Sequence, residues 1–193
     1  MKLADRLREA LQRERGLPLL EGDSVEQEGG TLVPAAVLIG ITDRVEPGLI
    51  LTVRREHLRT HAGQVAFPGG RLDAGESATQ AALREAWEEV GLPASEVEIV
   101  QTLEPYRTVT SYLVTPVIGV ITPDLPLQPH EHEVADWFEA PLAFVLDPAN
   151  QQRKSVLFQG RTRHYYEILW NGRRIWGATA AVIVNLSRRL QWS

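Results

Sequence analysis

Four glutamates and one arginine crowd a short stretch of this chain: Glu76, Arg84, Glu85, Glu88 and Glu89 all lie between Gly70 and Leu92. The segment from about Ser77 to Val90 reads as a helix in which Leu83, Ala86, Trp87 and Val90, at i, i+3, i+4 and i+7, form an apolar stripe. Glu85, Glu88 and Glu89 then share the opposite face, with Glu85 and Glu89 one turn apart. These acids occupy the last turns before Gly91, a C-cap in this reading, where the helix dipole already presents partial negative charge. Each carboxylate so placed costs about 0.3–1 kcal/mol, and Arg84 relieves only part of the repulsion. A solvated acidic face is one reading of such a run; a bound cation explains its position better. Carboxylates without histidine or thiolate partners suit hard, oxygen-seeking ions, which favours Mg²⁺ or Mn²⁺ over zinc. Such an ion neutralises phosphate oxygens and lowers the pKa of a bound water. Ala78 and Ala81, on or near the acidic face, leave room for a ligand. The alternating Asp/Asn loop of a calcium EF-hand is absent.

The elements that must position these groups follow from pattern. Residues 3 to 15 read as an amphipathic helix with Leu3, Leu7, Ala10 and Leu11 on one stripe, and 21 to 30 as a connector. Pro34 to Ile41 and Leu49 to Arg54 read as buried strands joined by a polar turn, and Val65 to Phe67 as a short strand feeding Pro68-Gly69-Gly70. Further strands are expected at Val97 to Leu103, Leu113 to Ile121 and Val134 to Phe138, and a short helix at Pro141 to Leu146. Asn171-Gly172 between His164–Trp170 and Arg173–Trp176 marks a two-residue hairpin. Ala178 to Leu190 closes the chain as a helix. Strands mixed with helices at both ends predict an α/β layered fold. No repeat or domain boundary is evident, so the whole chain, 1–193, is read as one domain with a core at about 31–190.

The 193 residues are 44% hydrophobic and 23% charged, ordinary for a soluble globular protein, and the net charge of −5 offers no electrostatic footprint for nucleic acid. Lys154, Arg161, Arg163, Arg173 and Arg174 read as scattered, solvated hairpin charges. No apolar run approaches the length of a membrane span, and the N-terminus lacks a signal-peptide pattern. Cysteine is absent, which excludes disulfides and thiolate chemistry. The chain ends Gln191-Trp192-Ser193, without a Ser-Lys-Leu address, so the cytoplasm is the default expectation.

Gly70, Glu76, Arg84, Glu85, Glu88, Glu89, Gly91 and Leu92 also fit the spacing G-x5-E-x7-R-E-U-x-E-E-x-G-U, with U a bulky aliphatic residue; Ala86 is the sole departure. The segment thereby resembles the Nudix box. The resemblance implies a Nudix-type α/β/α sandwich with a central mixed sheet and a hydrolase of phosphorus anhydrides. It implies Glu85 and Glu89 as principal metal ligands, Glu88 as a further ligand or its neighbour, and the carbonyl of Gly69 completing the coordination. Glu76 and Arg84 are implied as residues bracing that cluster through a salt bridge.

Upstream, Ile50-Leu51-Thr52-Val53-Arg54-Arg55, then Arg59, Gly63 and Phe67-Pro68-Gly69-Gly70, resemble L-L-T-x-R-[SA]-x3-R-x3-G-x3-F-P-G-G. That pattern marks the coenzyme A pyrophosphatase branch of the family; Ile50 and Arg55 depart from it. The resemblance extends over roughly residues 34 to 190. It implies hydrolysis of coenzyme A or acyl-CoA to 3′,5′-ADP and (acyl-)4′-phosphopantetheine. Arg54 and Arg59 would supply forked contacts to phosphates, and His61, Gly63 and Phe67 would line the substrate site. The water-activating base is expected outside the box, at Glu133 with Glu131 as its alternate, and Glu104 is a further acid that could enter. Two other readings stand beside this one. The first is a Nudix hydrolase of ADP-ribose, NADH or a dinucleoside polyphosphate; the second is a non-catalytic nucleotide-binding module. The oligomeric state stays open, a homodimer being one alternative.

Overall fold

The computed structural model describes residues 1–13, 18–20, 31–55, 63–130, 132–158 and 160–190. Helix α1 (Leu3–Gln12) leads to strand β1 (Val33–Thr42), β2 (Gly48–Arg54), β3 (Val65–Ala66) and β4 (Gly69–Arg71). Helix α2 (Ala78–Val90) follows, then β5 (Val97–Thr102), β6 (Tyr106–Arg107), β7 (Tyr112–Ile121) and β8 (Val134–Pro141). The short α3 (Leu142–Leu146), the strands β9 (Gln152–Phe158), β10 (Arg161–Trp170) and β11 (Arg173–Trp176), and helix α4 (Gly177–Leu190) complete the chain.

Eight strands form a mixed sheet with the path β3-β2-β1-β7-β5, while β4 pairs with β1, β6 with β7 and β8 with β2. β1 and β7 run parallel, in register from Val33 opposite Tyr112 to Thr42 opposite Ile121, and the other pairings are antiparallel. A strand covered on both faces must be apolar at successive positions. β1 obeys this: Ala36 and Leu38 pack towards α2 with Ile50, Val117 and Ile121, whereas Ile39 and Ile41 enter the larger core under α1, α3 and α4. The result is the expected α/β/α sandwich around a mixed sheet. No helix among the described residues is long and apolar enough to cross a membrane.

The second sheet, β11-β10-β9, is antiparallel and shares no strand pairing with the first, against which it packs through Trp170 on Phe138. Asn171 and Gly172 both have positive φ (46° and 74°), as a two-residue hairpin turn demands. Its charges are not merely solvated. Lys154 and Arg174 both pair with Glu167, a buried carboxylate that they hold below its ordinary pKa. Arg173 pairs with Asp136 at 2.7 Å and lies over the Phe138 ring. Strand β9 had no expectation behind it. Its residues 152–157 are largely exposed, so it shows no alternation of buried and exposed positions.

Candidate active site

Both ends of α2 are fixed by local chemistry. Ser77 Oγ accepts from the Gln80 N–H while Gln80 Oε1 accepts from the Ser77 N–H, a capping box written in the sequence as S-x-x-Q. At the other end Gly91 adopts φ 68°, and its N–H and that of Leu92 reach back to carbonyls of the last turn. A helix held at both ends keeps its rotational setting, and that setting decides which glutamates are buried.

The setting differs from the expected one. Trp87 is 58% exposed and not part of the core stripe, and Leu83 is only partly buried. The packing ridge is instead Ala82, Ala86 and Val90, with Ala81 beside it, all fully buried. Alanines let the helix come close to β1, and the space they leave cannot hold an indole. Ala81 therefore closes the helix against the sheet and opens no room for ligand, contrary to the expectation for it. The three acids on the opposite side are buried to different degrees. Glu89 is 4% exposed and Glu85 largely covered, while Glu88 points to solvent.

Arg84 ties the cluster together. Its Nε and Nη2 hold both oxygens of Glu76 at 2.9 and 3.0 Å, and its Nη1 donates to Glu85 at 2.9 Å and to Glu88 at 3.1 Å. Nη2 also donates to the carbonyl of Arg71 at 3.0 Å, which fastens the helix to β4. Glu76 accepts a further bond from the Asp73 N–H, and the Arg84 fork beside it holds its carboxyl below the ordinary range. The same carboxylates push the Arg84 guanidinium above its ordinary pKa. A planar fork satisfies this arrangement in a way that a lysine ammonium cannot.

The two glycines of β4 have no room for side chains, Gly70 against α2 and Gly69 against β1. A Cβ on Gly70 would stand 2.3 Å from Glu85 Oε1, and one on Gly69 would stand 2.4 Å from the Ala36 carbonyl oxygen. The Gly69 backbone also lies beside the Glu89 carboxylate and favours its ionised form.

Glu89 is the unusual group. Its Oε1 lies 3.9 Å from Arg54 Nη1, beyond hydrogen-bond reach, and its buried Oε2 has no hydrogen-bond partner among the described residues. Burial pushes its pKa up to about 8; Arg54 offsets part of this, and Glu85 and Glu133 add to it. Glu85 is raised too, first by burial. A buried carboxylate oxygen without a donor costs free energy unless something positive meets it. Among the described residues no three acidic or histidine side chains close into a metal cage. Two neighbouring carboxylates, one with an oxygen that no donor meets, nevertheless fit Mg²⁺ or Mn²⁺, which keep waters and share substrate phosphates.

Glu133 reaches this cluster from another element. The His130 N–H donates to the Glu89 carbonyl at 2.8 Å and the Gln128 N–H to the Val90 carbonyl at 3.0 Å, so the loop before β8 caps the end of α2. The Glu133 carbonyl accepts from the Arg55 N–H, and Val134 pairs with Arg54 across a bulge. The exposed Glu133 side chain is close enough to act electrostatically on both Glu85 and Glu89. Glu104, by contrast, pairs with Arg189 of α4.

On its other side β4 borders a mostly apolar cavity of about 380 Å³. Gly69 and Gly70 form part of its wall, with Arg54, Phe67, Tyr106, Tyr112 and Trp176 among the other lining residues. Phe67, a candidate substrate contact, is 4% exposed and belongs to the core as well. Gly63, at φ 67°, donates its N–H to the Arg54 carbonyl and sets the turn before β3. Arg59, His61 and Glu131 lie outside the described residues. Sequence reasoning missed Arg71 and Tyr112 on the cavity wall; the position of Arg71 next to Gly69-Gly70 was the available signal.

The NUDIX domain matches residues 31–166. The uncharacterized Nudix hydrolase NudL of Escherichia coli (strain K12) is 46% identical over 157 residues, covering 81% of this chain and 82% of that protein. NudL of Shigella boydii serotype 4 (strain Sb227) matches over the same shares at the same identity. Among solved structures, the Nudix hydrolase RenU from M. smegmatis superposes with a TM-score of 0.53 at 24% identity, over 66% of this chain and 83% of that one. A MutT/nudix family protein from Enterococcus faecalis gives 0.52 at 17% identity, over 97% of this chain and 68% of that one. The structural likenesses show the fold alone; with the domain match and the 46% identical relatives, they place this chain in the Nudix hydrolase family.

Proposed function

We propose that this Nudix hydrolase cleaves the diphosphate bond of coenzyme A or acyl-CoA, releasing 3′,5′-ADP and (acyl-)4′-phosphopantetheine. The observation that carries the reading is the double role of Gly69 and Gly70, which abut the Glu85–Glu89 pair and also wall the apolar cavity. A diphosphate lying along them would meet the acids while the rest of the ligand fills the cavity. The likeness of residues 50 to 70 to the coenzyme A pyrophosphatase pattern supports this choice of substrate within the family.

In this reading Glu85 and Glu89 hold Mg²⁺ or Mn²⁺, with the Gly69 carbonyl and Glu88 as further ligands. The ion, when bound, supplies charge neutralisation at the phosphoryl oxygens and a more acidic water. Arg84 and Glu76 keep Glu85 in place, and the two glycines, Gly69 and Gly70, let the diphosphate approach the backbone. Arg54 contacts a phosphate oxygen from beside Glu89, and Arg59, His61, Gly63 and Phe67 complete the substrate surroundings. Glu133 takes the proton of the attacking water. Water adds to one phosphorus, the bridging P–O bond breaks, and each product leaves as a phosphate monoester.

Incubation of the protein with coenzyme A and Mg²⁺ or Mn²⁺, followed by mass analysis, should yield 3′,5′-ADP. No such product with either metal would overturn the substrate assignment. Preferential turnover of ADP-ribose, NADH or a dinucleoside polyphosphate, ranked by kcat/KM, would replace it. No turnover of any of them, with ligand still bound, would favour a binding module.

A further inference from the structure

Arg71 lies close in sequence to the acidic cluster, yet among the described residues its guanidinium pairs with no carboxylate. Glu76, Glu85 and Glu88 all engage Arg84, and Glu89 faces Arg54. Strand geometry explains the separation. Successive side chains on a strand leave from opposite faces. The Gly70 position is directed at Glu85, so Arg71 is directed away from it. Its Nε and Nη2 donate to the Tyr112 phenolic oxygen at 3.1 and 2.7 Å, and both residues line the cavity. A phenol that accepts two N–H bonds still has its own O–H to donate, and the guanidinium keeps further N–H groups and its full charge. Two neighbouring donors, one cationic, thus stand on a cavity wall with no carboxylate paired to them among the described residues.

We propose that Arg71, oriented by Tyr112, forms a second anion site that takes a phosphate monoester remote from the scissile diphosphate; in coenzyme A this is the 3′-phosphate. The assignment of that phosphate rests on the substrate reading above. A site built to pair a charged group discriminates strongly against an analogue that lacks it.

The test compares coenzyme A with dephospho-coenzyme A, which lacks only the 3′-phosphate. The wild-type protein should prefer coenzyme A in kcat/KM. Arg71→Ala should reduce that preference about 10- to 100-fold, mainly through KM, with Arg71→Lys intermediate. Tyr112→Phe should reduce it by less. Equal losses on both substrates would overturn the proposal, since they would place Arg71 on the shared part of the ligand. Direct titration of 3′,5′-ADP and 5′-AMP into wild-type and Arg71→Ala protein separates this proposal from the catalytic reading. A preference for 3′,5′-ADP that vanishes in the variant supports the site even if coenzyme A is not cleaved. No preference in the wild-type protein overturns the site even if it is.

Discussion

Arg54 Nη1 and Glu89 Oε1 stand 3.9 Å apart, close enough for attraction but too far for a hydrogen bond, and Glu89 Oε2 on the buried side has no partner among the described residues. Among the described residues, the nearest cation therefore stabilises Glu89 without satisfying it. A structural ion pair would have closed this gap. A carboxylate left open in this way is poised to accept a ligand.

Glu89→Gln follows directly. The amide keeps the shape and removes the buried charge, so metal-free Glu89→Gln should be as stable as the wild type, or more stable, at pH 8. Turnover should fall by about 100-fold or more, the scale on which loss of one preorganised electrostatic partner acts. Thermal melts in chelator and steady-state kinetics with Mg²⁺ check the two halves. Undiminished activity would remove Glu89 from the metal site.

The raised pKa of Glu89 sets a pH dependence. The folded value is about 8 and the ordinary value 4.5, so folding favours the protonated carboxyl. The stability contributed by that proton is fully present below about pH 4.5 and lost as pH rises through about 8. Metal-free protein should therefore lose stability across this window, by a smaller margin in Glu89→Gln. An ion that binds the carboxylate must displace the proton, so Mg²⁺ affinity should rise with pH, up to about tenfold per unit, and level off above about 8. Melting temperature against pH, with and without Mg²⁺, reads both trends; parallel flat curves would contradict them.

Much of this site was legible because its groups are joined locally. The Arg84–Glu76 fork spans eight residues, and the capping box and Gly91 fix α2 by nearest-neighbour chemistry. What was not legible depends on distant partners. Heptad-like spacing placed Trp87 in the core, but the approach of α2 to β1 selected the alanine ridge and left the indole outside. Arg71 acquires its meaning from Tyr112, 41 residues later and two strands away. The hairpin charges read as solvated because nothing local reveals that Lys154 and Arg174 converge on Glu167.

Gly69 and Gly70 should fail in different ways when replaced by alanine. At Gly69 the new methyl meets backbone, the Ala36 carbonyl oxygen and the Val37 Cα, neither of which can rotate away. Overpacking of this kind costs about 1–3 kcal/mol. Gly69→Ala should thus lower the melting temperature clearly. At Gly70 the methyl meets the Glu85 carboxylate, a side chain that can turn aside. Gly70→Ala should keep most of its stability and lose activity, because Glu85 leaves its place. Equal effects of the two substitutions on melting temperature and kcat would contradict this distinction.

The loop from Gln128 to Glu133 gives the last test. Its N–H groups occupy the Glu89 and Val90 carbonyls, so the element that carries Glu133 is fastened to the end of the helix that carries Glu89. Glu133 is exposed and its carboxylate makes no ion pair among the described residues, so replacing it should cost little stability, within about 0.5 kcal/mol. If it takes the proton of the attacking water, Glu133→Gln should lower kcat by about 10²- to 10⁴-fold with little change in KM. Melting temperature and kcat of one variant thus separate a base from a loop acid: a kcat within about twofold of wild type assigns the proton transfer elsewhere.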